Sequence, residues 1–114
     1  MRSIPFLFAL LALSMAPAPA TAGAGSFVLV NGTSSSLSDL AIRRYGTDEW
    51  RALAVAPAAG ARGPVEFYDP DCAFDIRARV GGGETAVWSG VNLCETKTVT
   101  LRRNDSGATW VDYD

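Results

Sequence analysis

The chain has 114 residues, with 10 basic and 12 acidic side chains, a net charge of −2 and no histidine. Mild acidity leaves no electrostatic footprint for nucleic acid or for an anionic membrane. The missing imidazole removes Ser-His-Asp and Cys-His catalysis, and any His-ligated metal, from the functions open to it.

Met1-Arg2-Ser3 is a short positive start, followed by the uncharged apolar run Ile4–Met15 and by APAPATA. That layout predicts a signal peptide over residues 1–22, cut after Ala20-Thr21-Ala22 to expose Gly23. The run is too short to cross ~30 Å of hydrocarbon as a helix, so no stable membrane insertion is expected after cleavage. No cysteine follows the cleavage motif to support lipoprotein processing, and the lone Arg2 does not support twin-arginine export. Residues 23–114 then form a single secreted domain with 9 basic and 12 acidic groups, a net charge of −3. Lysine occurs once, at Lys97, against many arginines, alanines and glycines, which is the usage of a GC-rich bacterial genome. Export then leads to the periplasm or the medium, and the Asn-x-Ser/Thr matches at Asn31 and Asn104 are accidental.

Within that domain, apolar positions recur at period two and turn residues interrupt the chain every 8–12 residues or so, a pattern of antiparallel strands. The predicted strands are Phe27–Asn31, Asp39–Tyr45, Arg51–Val55, Pro64–Tyr68, Ala73–Val80, Thr85–Val91, Lys97–Arg102 and Ala108–Tyr113. Between them lie NGTSSS, GTDE, PAAGARG, DPDC, GGG and NDSG, all rich in turn formers. Arg51–Ala59 has enough alanine to read as a short helix instead. The expected fold is all-β, a small antiparallel β-sandwich of Ig-like architecture, with a partly open barrel as the alternative.

Both cysteines flank one predicted hairpin. A turn at Gly81-Gly82-Gly83-Glu84 opposes Ala78 to Trp88 and Cys72 to Cys94. Opposed residues in an antiparallel pair have Cα atoms ~4.5–5.5 Å apart, within disulfide range. Free thiols or metal ligation are the rival readings, and two cysteines without histidine make a poor zinc site. In this register Phe74, Ile76, Ala78 and Val80 share one face, while Asp75, Arg77 and Arg79 share the other. On the return strand Val87, Val91 and Leu93 are out of phase with Trp88. A bulge at Gly90 restores Trp88, Val91 and Leu93 to one face but moves Cys94 off it, and the sequence leaves this open.

The pattern Phe27-x-Leu29-x-Asn31-x-Thr33, Leu40/Ile42, Trp50, Cys72-x-Phe74-Asp75-Ile76-Arg77 and Val91-Asn92-Leu93-Cys94 resembles a group of small exported bacterial proteins of uncharacterised function. The resemblance covers most of residues 23–114. It implies an exported β-domain with that cysteine pair and carries over no catalytic residue.

The chemistry left to weigh is sparse. Lys97, in Thr-Lys-Thr, reads as an exposed strand residue rather than half of a Ser-Lys dyad. Asp69, Asp71 and Asp75 suggest a cation loop, but Ala73 and Phe74 stand where an EF-hand needs an oxygen ligand and a glycine. Asp69-Pro70-Asp71 reads better as a turn. Asp75 and Arg77 are expected to form a solvated ion pair, or to position a partner's carboxylate or backbone. Trp50, Trp88 and Trp110 read as packing residues or as a sugar platform, with Trp110 the most exposed. The candidate binding residues are therefore Asp75, Arg77, Arg79 and Trp110, with no catalytic residue, metal or cofactor assigned. The expected function is a non-catalytic module for a protein or envelope component. A small secreted hydrolase or carbohydrate-binding domain, using Asp69, Asp71 and Asp75 or the tryptophans, is the alternative.

Overall fold

The computed structural model describes residues 23–114, so the expected signal peptide lies outside the described residues. Eight strands form: β1 Phe27–Asn31, β2 Leu37–Arg44, β3 Arg51–Ala52, β4 Arg62–Val65, β5 Ala73–Val80, β6 Thr85–Asn92, β7 Thr98–Arg103 and β8 Thr109–Tyr113. They assemble as two four-stranded sheets, β4-β1-β7-β8 and β3-β2-β5-β6, which pack as a β-sandwich rather than a closed barrel. The period-two pattern is the cause. Phe27 and Leu29 of β1, Ile42 of β2, Phe74 and Ile76 of β5, and Val99 and Leu101 of β7 all point into one shared core.

Three local details differ from the expectation. The strands are not uniformly antiparallel, because β1 and β7 pair in parallel. The strand expected over Arg51–Val55 is only Arg51–Ala52, and the alternative helix over Arg51–Ala59 does not form either: Leu53 N–H still donates to the Leu40 carbonyl at 2.8 Å, and the chain then leaves for the other sheet. The fourth strand lies earlier than expected, at Arg62–Val65, with Pro64 inside it. Because β4 pairs only with β1, Pro64 occupies an edge strand, where its missing N–H is tolerated. Phe67 then folds over the sandwich end, edge-on to Phe27 and Phe74 with centroid separations of 6.2 and 5.1 Å.

The β5–β6 hairpin turns where expected, but its register is different. Gly81 and Gly82 both have positive φ, as a mirror-image hairpin turn requires, and Gly83 N–H donates to the Val80 carbonyl at 2.9 Å. Ala78 faces Ala86 rather than Trp88, and Trp88 faces Ile76. Beyond Asp75 the pairing shifts, at a bulge whose Gly90 has φ +70°. That bulge places Trp88, Val91 and Leu93 together in the core.

Cys72 and Cys94 are joined with a Cα–Cα distance of 5.1 Å, although they are not opposed on the strands as the simple register implied. Leu93 N–H donates to the Cys72 carbonyl, and the next residue is swung across by a turn past the strand end. There the Asn92 side chain accepts from Cys94 N–H at 2.9 Å, and Glu95 takes a left-handed φ of 62°.

With a sequence separation of 22, this crosslink contributes roughly 3.4 kcal/mol by restricting the unfolded chain. Calorimetry of Cys72→Ala/Cys94→Ala is expected to show a midpoint lower by more than ~8 °C, given ~4–8 °C per kcal/mol in a domain this size. Its far-ultraviolet spectrum is expected to remain β-type in the cold. An unchanged midpoint would mean that the crosslink adds nothing to the sandwich.

Candidate functional site

The outer face of the second sheet collects the charged residues of the hairpin. Alternation sends Asp75, Arg77 and Arg79 of β5 away from the core, where β2 and β6 flank them: Arg43 pairs opposite Asp75, and Ala41 and Val87 pair on either side of Arg77. Asp75 is nevertheless only 2% exposed. Its Oδ2 accepts from Arg43 Nε at 2.8 Å, and its Oδ1 accepts from Ser89 Oγ at 2.7 Å and from Gly90 N–H at 3.0 Å. Burial by itself pushes the carboxyl pKa up. The Ser89, Arg43 and Gly90 hydrogen bonds and the Arg43 charge outweigh it, so the group lies below the ordinary value of 3.8.

The expected Asp75–Arg77 ion pair does not form, because Arg43 takes the carboxylate from the neighbouring strand. Arg77 instead lays its guanidinium on Trp50, 4.4 Å from the ring centroid, and Arg43 contacts the same side chain at 4.4 Å. Trp50 precedes β3 and is half-buried against this face. Arg79 is exposed and donates to the Gly82 carbonyl of its own turn at 2.8 Å.

A second charged group lies at the end of β2. Asp69 is buried and accepts from Arg44 Nε at 3.1 Å, from Arg51 Nη2 at 3.4 Å and from Asp71 N–H at 2.9 Å. Asp69-Pro70-Asp71 is thus the turn the sequence implied. The Asp69 backbone also bridges to Ala24, tying that segment to the β4–β5 connection. Burial raises the Asp69 pKa, but the Asp71 N–H and the Arg44 and Arg51 guanidiniums lower it further, and the net shift is downward. Arg44, Thr47, Glu49, Arg51 and Asp69 line an open cleft of about 270 Å³.

The named candidates therefore separate. Asp69 and Asp71 turn toward Arg44 while Asp75 sits in the Arg43 clamp, and no group of three metal-ligating side chains gathers among the described residues. The tryptophans form no common platform. Trp88 is core and donates to the Arg102 carbonyl at 2.7 Å, Trp50 lies under two guanidiniums, and Trp110 stands 45% exposed on β8 of the other sheet. The Asn31-Gly32-Thr33 match is sealed: Asn31 is buried, and its amide donates to the Ser35 and Pro57 carbonyls. Arg43 and Ser89 are not among the residues that the sequence singles out, and Trp50 is singled out only for packing or a sugar platform. Ser89 precedes Gly90, so the bulge was a usable local signal; Arg43 and Trp50 come from distant segments, whose register no local pattern reports.

Because the folded pKa of Asp75 is depressed, its clamp stabilises the domain above the ordinary aspartate pKa and is lost as pH falls through the folded value. Asp75→Asn is therefore expected to lower unfolding stability at pH 7 by ~1–3 kcal/mol, the magnitude for disrupting a buried hydrogen-bonded group. The gap to wild type is expected to narrow below about pH 4. Urea melts across that range measure it, and a gap independent of pH would contradict the clamp.

No protein-family model matches the chain, and no curated protein matches its sequence. Among solved structures, the NMR structure of a protein from Eubacterium rectale is similar, with a TM-score of 0.55 at 13% identity. The alignment covers 85% of this chain and 94% of that one. At this identity the likeness is one of fold.

Proposed function

We propose that the protein is an exported, disulfide-stapled binding module that engages a protein or envelope component through the outer face of its second sheet. The observation that carries this reading is Arg77. It is ordered against Trp50, has no carboxylate in ion-pairing range among the described residues, and stands beside Val87, which is 40% exposed. An ordered but unneutralised guanidinium next to exposed apolar surface suits recognition of a partner more than it suits stability.

The carboxylates point away from hydrolysis. A glycosidase needs one carboxyl whose pKa is raised so that it can donate a proton. Asp69 is instead favoured in its ionised form by the Asp71 N–H and by Arg44 and Arg51, and Asp75 by Ser89, Arg43 and the Gly90 N–H. The open cleft at Asp69, about 270 Å³, lies just under the ~300–1,000 Å³ of ordinary ligand pockets. Export is supported by the N-terminal layout, by the resemblance to small exported bacterial proteins, and by a disulfide compatible with an oxidising compartment.

Mass spectrometry of the protein from its native host is expected to find an N-terminus at or near Gly23, in the periplasm or medium. A membrane-retained full-length form would contradict export. Crosslinking in the native envelope through a photoreactive residue at Arg79 is expected to give a discrete adduct that the same residue at Arg102, on the other sheet, does not. Esterase, peptidase, glycosidase and phosphatase activities of the purified protein are expected at background. Turnover abolished by Asp69→Asn or Asp75→Asn, or equal adducts from both sheets, would overturn the reading.

A further inference from the structure

Resting on that reading, we propose that Arg77 is the anchor of the binding face and takes the carboxylate of an acidic, extended segment of a partner protein. Asp75, its neighbour on the same strand face, offers it no charge partner, because both Asp75 oxygens are held by Arg43, Ser89 and Gly90. Its guanidinium instead rests over the ring of Trp50, 4.4 Å from the centroid, which restrains it. Part of the conformational entropy that binding would otherwise remove is already lost. The guanidinium keeps a fork of N–H donors, which suits the two oxygens of a carboxylate. Arg79, on the same face, donates to the neutral Gly82 carbonyl and forms no ion pair among the described residues. Arg77 and Arg79 thus stand on one face with no ion pair to a carboxylate among the described residues. This local positive pair favours an acidic over a basic segment at that spot, although residues 23–114 carry a net charge of −3.

The segment lies across the face rather than adding to the β6 edge. That edge is already bridged to β8: Thr109 Oγ1 donates to the Val87 carbonyl at 2.7 Å, and Asn92 N–H donates to the Tyr113 hydroxyl at 2.9 Å. Exposed Val87 opposite Arg77 adds an apolar contact for the residue next to the carboxylate. A sugar acid shares the carboxylate, but the face gives it a poorer site. Trp50 is engaged by two guanidiniums, and the Ser89 hydroxyl is donated to Asp75.

The test is a nuclear magnetic resonance titration of the exported protein, labelled with nitrogen-15, using three probes: acetyl-Glu-Val-Glu-Val-amide, acetyl-Lys-Val-Lys-Val-amide and trigalacturonate. The Glu peptide is expected to shift Arg77 Nε–Hε and the Ala41 and Val87 amides saturably, while the Lys peptide leaves them in place. Arg77→Gln is expected to weaken the Glu peptide at least tenfold. Arg77→Lys, which keeps the charge and loses the fork, is expected to weaken it several-fold, and Arg102→Gln to leave it unchanged. No shift at Arg77, equal affinity in Arg77→Gln, or tighter binding of trigalacturonate would overturn the proposal. If it fails while Arg79 still gives a discrete envelope adduct, the carboxylate anchor is wrong and the binding-module reading stands; if the adduct is also missing, both fall.

Discussion

Asp75 is a charged side chain that strand alternation sends to the solvent face, yet it is buried there, and its three hydrogen bonds organise much of the second sheet. A carboxylate at 2% exposure is tolerated only when its lone pairs are satisfied. Gly90 N–H, turned toward it by a positive φ, supplies one bond and so fixes the bulge. The bulge inserts the residue that keeps both Trp88 and Val91 in the core, and it sets where the strand delivers Leu93 and then Cys94. Arg43 supplies another bond from β2, which locks β2 and β5 together on the side away from the core. Since Arg43 neutralises Asp75, Arg77 is left with its charge facing outward. One buried carboxylate thus links the core packing, the disulfide geometry and the character of the exposed face.

The rest of the sandwich is held at its margins. A domain of about this size buries only ~60–65% of its unfolded surface, so links beyond the core carry weight. The disulfide closes the open end of the β5–β6 hairpin. Thr109 and Tyr113 bridge β8 to β6 and satisfy backbone groups that an edge strand would otherwise present to other chains. Asn31 ties the start and end of the β1–β4 connection, accepting from Thr33 N–H and hydroxyl while donating to Ser35 and Pro57. Asp69 does the same for the N-terminal end through Ala24, Arg44 and Arg51.

What the sequence disclosed follows from how local each determinant is. Strand positions were legible because side-chain alternation and turn composition are written within a few residues of one another. β1 and β5 match their expected spans, and the Gly81–Glu84 turn falls where three glycines place it. The bulge was half legible: Gly90 and the out-of-phase Trp88 and Val91 signalled it, but deciding required knowing that Asp75 needed Gly90 N–H. The cysteine pair was legible as a pair and not in its geometry, because a turn beyond Asn92, rather than strand register, brings Cys94 across. Arg77 was legible as a candidate through its place beside Asp75, although its real partner, Trp50, comes from a loop 27 positions earlier. Arg43 lies opposite Asp75 only through the β2–β5 register, which includes an irregularity between Ser38 and Ala41 and cannot be counted along the chain.

The Arg43 ion pair and the Gly90 hydrogen bond that shape this face and its bulge both run through the Asp75 carboxylate. The most direct measurement is the side-chain carboxyl titration of Asp75 by carbon-13 resonance, followed together with the Gly90 amide. The clamp predicts a midpoint below the ordinary value of 3.8, with the Gly90 amide moving at the same midpoint as its hydrogen bond is lost. A midpoint at or above 3.8, or a Gly90 amide indifferent to that titration, would contradict it.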